Sequence, residues 1–214
     1  HTISTAQTAG WIWDIGLPTR KGVGYVYSSA HTDDASAEID LRRYIDKTSG
    51  HSSANVDIRK LHFNPGHRQQ FWHKNVVAIG MSAGFIEPLE ASALALVELS
   101  ANMLSSELPA DVSLMPLLSE RFNQRFTLRW QRIVEFLKLH YVLSQRSDSD
   151  YWRDNRDTDT IPERLQQLLT LWQYQVPSHH DFTEIEEIFP SSSYMYVLYG
   201  MGFRKGANPM RQRN

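Results

Sequence analysis

The 214-residue sequence contains no cysteine, which excludes disulfides, thiolate nucleophiles and cysteine-ligated metals together. It also lacks an excess of charge of either sign. With 22 Lys and Arg against 24 Asp and Glu, for a formal net charge of −2, bulk attraction to nucleic acid or to an anionic membrane is not the default basis of function. Long hydrophobic runs are missing: residues 76–86 and 133–143 are interrupted and fall well short of the about 20 residues that span a bilayer. No secretory signal is visible, so a cytoplasmic location with no membrane or nucleic-acid partner is expected. No internal repeat or low-complexity segment is present. What the sequence does have is aromatic side chains, 6 Trp, 9 Tyr and 9 Phe, enough for a core and for a binding cavity with flat walls.

Both ends are polar, HTISTAQTAG and GANPMRQRN, and read as frayed. Trp11, Trp13 and Ile15 alternate on one face, a Gly16-Leu17-Pro18 break follows, and Val23, Tyr25 and Tyr27 alternate again, which predicts a β-hairpin. Thr32 is a candidate N-cap for a helix that stops before Gly50. A further strand is expected over residues 55–63, closed by Asn64-Pro65-Gly66. Val76 to Ile79 reads as a short buried strand entering a turn flanked by Gly80 and Gly84. From Pro88 onward the pattern is helical, over 89–104, 116–144, 162–174 and 194–199. Strands first and helices afterwards predict an α+β fold, with a β-rich part over 1–86 and a mainly helical region over 87–214.

The most concentrated chemistry lies in residues 75–98, NVVAIGMSAGFIEPLEASALALVE. Glycines allow a ligand to approach the backbone, and a helix N-terminus offers unpaired N–H groups that favour anions. Glu87 and Glu90 at the helix opening have an ordinary alternative use, capping the helix and complementing its dipole. Trp11 and Trp13 are equally well read as an aromatic core pair. Gly22-Val23-Gly24 is followed by Tyr27 where a dinucleotide fingerprint requires a third glycine, and it leads into strand residues, so it is no phosphate-binding loop. Arg121, Arg125 and Arg129 beside Phe122, Phe126 and Trp130 read as an amphipathic helix with a solvated arginine edge. No metal is expected: His62, His67 and His73 match no compact ligand spacing. Residues 148–159 resemble a calcium loop only in acidity and read as a solvated loop.

Residues 75–98 resemble the GxxAGFxEPLESTxI stretch of the flavin-dependent tryptophan halogenases. Residues 10–28 (GWIWDIGLPTRKGVGYVYS) are similar to that family's WxWxIP segment and the Gly-Tyr-Val-Tyr-Ser strand after it. Residues 136–156 and 194–203 resemble family segments in the same order, so the likeness covers nearly the whole chain. It implies the C-terminal part of a flavin monooxygenase-like fold, an antiparallel substrate-side sheet followed by a helical cap. The implied activity uses reduced FAD, supplied by a separate flavin reductase, and oxygen to turn a halide into hypohalous acid. A lysine then directs the halogen, chlorine or bromine, onto an electron-rich aromatic such as an indole or a peptide-borne tryptophan, since residues 176–193 are shorter than the family's run that grips free tryptophan and lack its Tyr-Tyr pair.

By motif position the resemblance implies that Glu90 is the catalytic carboxylate beside that lysine. Gly80, Met81 and Leu94 would contact the flavin, and Ser92 and Ala93 would supply a hydroxyl and an amide to the halide, where the family usually has Thr and Gly. Trp11, Trp13 and Phe189 would line the substrate cavity. Gly16 stands where the motif has Pro, and Ala91 where it has Ser. In the family the dinucleotide fingerprint and the reactive lysine lie in the N-terminal portion, and none of Lys21, Lys47, Lys60, Lys74, Lys138 or Lys205 falls at the matching place. The chain is therefore expected to be a C-terminal part whose N-terminal FAD-binding part is absent, inactive by itself. A related flavin hydroxylase and a non-catalytic helical interaction module remain alternatives. The halide role carries a geometric requirement: the amide of Ala93 is free only if regular helix begins near Glu90 or later.

Overall fold

The hairpin predicted from the Trp11–Ile15 alternation forms, and a third strand joins it. The computed structural model describes residues 1–182 and 187–204. Strands β1 (Thr2–Gln7), β2 (Gly10–Gly16) and β3 (Lys21–Tyr27) make an antiparallel sheet in that order. β1 corrects the expectation of a frayed N-terminus. Its residues lack apolar alternation, yet Thr2, Ile3 and Thr5 are β-branched, and as an edge strand it needs only β2 as neighbour, with Thr5 opposite Ile12 and Ala6 opposite Trp11. Opposite Trp13 stands Gly24, and the indole lies flat on that bare backbone. A Cβ at Gly24 would come 2.2 Å from Trp13 Cζ2.

Two compact units divide the chain. The first comprises His1–His62 and Ser144–Thr160, the second Phe63–Leu143 with the described residues from Ile161 onward. In the first unit, helix α1 (Asp34–Ser49) is capped by Asp33, whose carboxylate accepts from the Ser36 amide at 2.8 Å, and not by Thr32 as expected. Its Tyr44 hydroxyl donates to the buried Asp14 at 3.0 Å, and Lys21 neutralises that carboxylate at 2.7 Å. The strand expected over 55–63 is absent. With Val56 and Leu61 exposed and no neighbouring strand to pair with, that segment runs as irregular chain, tied by Arg42 to the carbonyls of Ser53 and Val56. The acidic segment 148–159 is likewise not a solvated loop. It contains helix α4 (Asp150–Asp154), which buries Tyr151 and Trp152, and the Trp152 indole donates to the Gln7 carbonyl at 2.8 Å.

The second unit is built on helix α3 (Met115–Val142), whose buried Phe122, Phe126, Trp130, Ile133 and Phe136 follow the helical period. Helices α2 (Ser92–Ser106), α5 (Glu163–Trp172) and α6 (Ser191–Gly200) contribute Leu96, Leu165, Leu168, Trp172, Tyr194 and Leu198 to one core with it. Arg129 departs from the expected solvated edge: it is buried, its guanidinium 4.8 Å from the Phe126 ring centre. Val76 to Ile79 is not a buried strand. Val76–Val77 forms the short β6, paired with β5 (Trp72–His73), and Val76 is exposed. Asn123 on α3 fixes that ribbon, accepting from the amides of Phe71 and Trp72 at 2.7 and 2.8 Å and donating to the Trp72 carbonyl. Two further two-residue strands, β4 (Gly66–His67) and β7 (Gly84–Phe85), pair with each other. The α+β class expected from the sequence is the one observed, and no described helix is long and apolar enough to cross a membrane.

The Trp13–Gly24 contact sets a test of the first unit. Gly24→Val forces a rigid indole off its strand and is expected to cost about 1–3 kcal/mol. Gly16→Ala on the same sheet, where a Cβ meets nothing within 4 Å, is expected to stay within about 0.5 kcal/mol of wild type. Urea unfolding followed by tryptophan fluorescence measures both.

Candidate functional site

The glycine-rich segment after β6 turns twice before α2 begins. Gly80 adopts φ +60, a conformation open to glycine without strain, and a Cβ there would press to 3.3 Å from Val97 Cγ2. The Ser82 hydroxyl closes the first turn, donating to the Ile79 carbonyl at 2.8 Å and accepting from the Ile79 amide at 3.0 Å. Gly84 allows β7 to lie against β4 and α3 at once. A Cβ would stand 2.7 Å from the Gly66 carbonyl oxygen and 2.7 Å from the Trp130 ring.

The second turn is a short 3-10 segment over Leu89–Ala91, and there the backbone reverses hand. Glu90 (φ 63, ψ 7) and Ala91 (φ 50, ψ 33) are both left-handed, and regular helix starts at Ser92. Two consecutive non-glycine residues in this region carry strain of about 1–2 kcal/mol each. The requirement set by the sequence is therefore met: Ala93 is the second residue of α2, among the first four whose amides have no partner one turn back. No side chain caps this end, so the capping use of Glu87 and Glu90 is not what the fold adopts. Both carboxylates instead turn to the last turn of α3. Glu87 Oε2 accepts from the Tyr141 hydroxyl at 2.6 Å, and Glu90 Oε1 lies 3.1 Å from His140 Nε2. The His140 bond holds the Glu90 carboxyl below its ordinary value of 4.5, outweighing the opposing effect of partial burial.

Around this turn the fold brings together six of the expected residues, Gly80, Met81, Glu90, Ser92, Ala93 and Leu94. Ser92 is buried, whereas Met81 and Leu94 are each 80% exposed. Phe189 is in the same unit, buried and stacked on Phe136 with ring centres 4.0 Å apart. Phe136 in turn meets the His140 ring edge-on at 5.2 Å. Trp11 and Trp13 belong to the first unit, where Trp11 is buried and Trp13 covers Gly24. A cavity of about 660 Å³ in the second unit, lined by Gln69, Trp72, Lys74, Asn123 and Gln131 among others, contains none of the expected site residues. Lys205 lies outside the described residues. His140 and Tyr141 were not singled out from the sequence. Their signal is an adjacent His-Tyr pair on the last turn of a long amphipathic helix, within the segment 136–156.

The Glu90 shift fixes the sign of a pH effect on stability. As pH falls, the unfolded chain takes up the proton first, so the Glu90 carboxylate's own contribution, full just above the ordinary glutamate range, is lost down to the lower, folded-state value. Wild type is expected to exceed Glu90→Gln in urea midpoint above that range, with the gap closing on acidification. A gap that stays constant across the range contradicts the assignment.

Comparison with known proteins bears on this geometry. The tryptophan halogenase family matches residues 1–213. The tryptophan 6-halogenase SttH of Streptomyces toxytricini is 34% identical over 202 residues, covering 94% of this chain and 38% of that protein. The crystal structure of a tryptophan halogenase from Shewanella frigidimarina superposes with a TM-score of 0.90 at 51% identity, over 99% of this chain and 41% of that one. BrvH, a flavin-dependent halogenase from Brevundimonas sp., gives 0.83 at 34% identity, over 98% and 41%. The chain thus spans about two fifths of the length of these relatives. Across that span, from the β1–β3 sheet to the last described helix, the chain belongs to the tryptophan halogenase family.

Proposed function

We propose that this chain is the C-terminal part of an FAD-dependent halogenase that places chlorine or bromine on an electron-rich aromatic, an indole or tryptophan. The observation that carries the reading is the left-handed Glu90–Ala91 turn, beyond which the first amides of α2 have no partner among the described residues, beside the Glu90 carboxylate. The residues present suit a flavin edge and a halide. Gly80 offers backbone without a side chain, Met81 and Leu94 offer an exposed apolar ledge, and Ser92 and Ala93 open α2 where its dipole and free N–H groups favour an anion. When bound, reduced FAD with oxygen supplies the oxidation of halide to hypohalous acid.

Each side chain then has a definite task. Ser92 and Ala93 would hold the halide at the α2 N-terminus. Glu90 would face the reactive lysine, contributed by the N-terminal part together with the dinucleotide-binding loop. As the ring carbon takes up the halogen, the substrate becomes a cation, and a carboxylate fixed in place stabilises that charge without reorganising. Phe189, in the same unit as Glu90, would line the aromatic side of the site. Reduced flavin would come from a separate reductase.

Incubating the intact enzyme that contains this chain with reduced flavin, oxygen, bromide and tryptophan or indole is expected to give a brominated product by mass. A hydroxylated product instead favours the hydroxylase, and no product favours the non-catalytic module. Glu90→Gln is expected to lower bromination about 10²–10³-fold. The 214-residue chain by itself is expected not to bind FAD tightly, and stoichiometric tight binding in a fluorescence titration contradicts the proposed division of labour.

A further inference from the structure

We propose that His140 is the positioning residue for Glu90, holding it as a carboxylate with one oxygen tethered and the other open to the reacting site. The proposal rests on the reading of Glu90 as the catalytic carboxylate, and deepens it.

Hydrogen-bond bookkeeping at the imidazole leaves little choice. His140 Nδ1 lies 2.9 Å from the carbonyl oxygen of Phe136, one helical turn earlier. A carbonyl only accepts, so Nδ1 carries a hydrogen. Nε2 faces Glu90 Oε1 at 3.1 Å, and an ionised carboxylate also only accepts. The contact therefore needs a proton between Nε2 and Oε1, which makes the pair an imidazolium and a carboxylate or its proton-shifted neutral form. The ring cannot turn away easily: Phe136 meets it edge-on at 86°, and Phe136 is itself stacked on Phe189 and packed against Tyr194. Glu90 Oε2 has no hydrogen-bond partner among the described residues, and the side chain is 39% exposed. One oxygen is thus anchored to a buried platform while the other is presented outward.

The same contact addresses the strained backbone. Left-handed Glu90 and Ala91 persist only where their surroundings over-determine them, and the His140–Glu90 and Tyr141–Glu87 bonds grip the turn on either side of Pro88 and Leu89. Among the described residues the titratable group that acts on the Glu90 carboxyl is His140; its neighbour on α3, Tyr141, donates to Glu87 instead. The direction in which the Glu90 carboxyl is shifted has the His140 bond as its largest cause.

The test measures bromination by the intact enzyme as a function of pH, for wild type, His140→Ala, His140→Gln, Tyr141→Phe and Glu90→Gln. His140→Ala is expected to lower kcat about 10–100-fold with the KM for the aromatic substrate little changed, and to move the acid limb of the profile to higher pH. His140→Gln keeps an N–H for Oε1 but cannot carry the charge. It is expected to recover much of kcat at high pH while its acid limb stays displaced. Tyr141→Phe, which removes the hydroxyl from Glu87, is expected to leave the acid limb in place. An inactive Glu90→Gln together with a wild-type acid limb and kcat in both His140 variants overturns the positioning role alone. A fully active Glu90→Gln overturns the reading of Glu90 itself and the proposal with it. If His140→Ala does not fold, the acid limb of His140→Gln decides, and a wild-type position overturns the proposal.

Discussion

Glu87 and Glu90 flank a proline–leucine pair, and both are drawn to adjacent residues on the last turn of one helix. That pair of contacts sets the geometry of everything around it. An ordinary chain with this composition would run straight into helix from Pro88, with glutamates in the first turn answering the dipole. Instead the carboxylates are committed to His140 and Tyr141, the backbone at Glu90 and Ala91 is left-handed, and α2 cannot extend backward past Ser92. The strain in two left-handed residues, of order 1–2 kcal/mol each, is matched in scale by two hydrogen bonds to carboxylates, each about 1.5–3 kcal/mol when the acceptor is charged.

Those contacts hold position only because α3 does. Its buried aromatic stripe runs from Phe122 to Phe136, whose ring meets His140 edge-on. Gly84 lets β7 come within van der Waals contact of Trp130, and Asn123 pins the Phe71–Trp72 backbone to the same helix. The segment that precedes the turn is thus registered on α3, and so is the pair of residues that receives its carboxylates. A helix packed to core density transmits position with little give, which is what a charge aimed at a reacting group requires.

Much of this was legible in the sequence, for identifiable reasons. The β2–β3 hairpin follows from alternation around Trp11, Trp13 and Tyr25, and the α3, α5 and α6 helices from apolar spacing near Pro116, Pro162 and Tyr194. The glycine turn and the helix that follows it were legible from Gly80, Gly84 and Pro88. What escaped is equally specific. β1 is an edge strand of Thr, Ser and Gln, whose pairing is set by its neighbour and not by its own pattern. Residues 55–63 alternate convincingly but have no strand to pair with, and α4 hides two buried aromatics within an acidic stretch. The left-handed conformation of Glu90 and Ala91 has no propensity signal at all, since neither residue is glycine. The Glu90 side chain bonds a partner 50 residues later, and a contact at that separation is not encoded in local periodicity.

The account turns on an open helix end beside a fixed carboxylate. Its most direct test is a crystal structure of the intact enzyme grown in bromide, with the ion located by anomalous scattering. The account predicts a bromide peak within hydrogen-bond reach of the Ala93 amide, with Glu90 and Ala91 left-handed and Glu90 Oε1 on His140. A bromide site elsewhere, with regular helix running unbroken from Glu87 through Ala93, would contradict it.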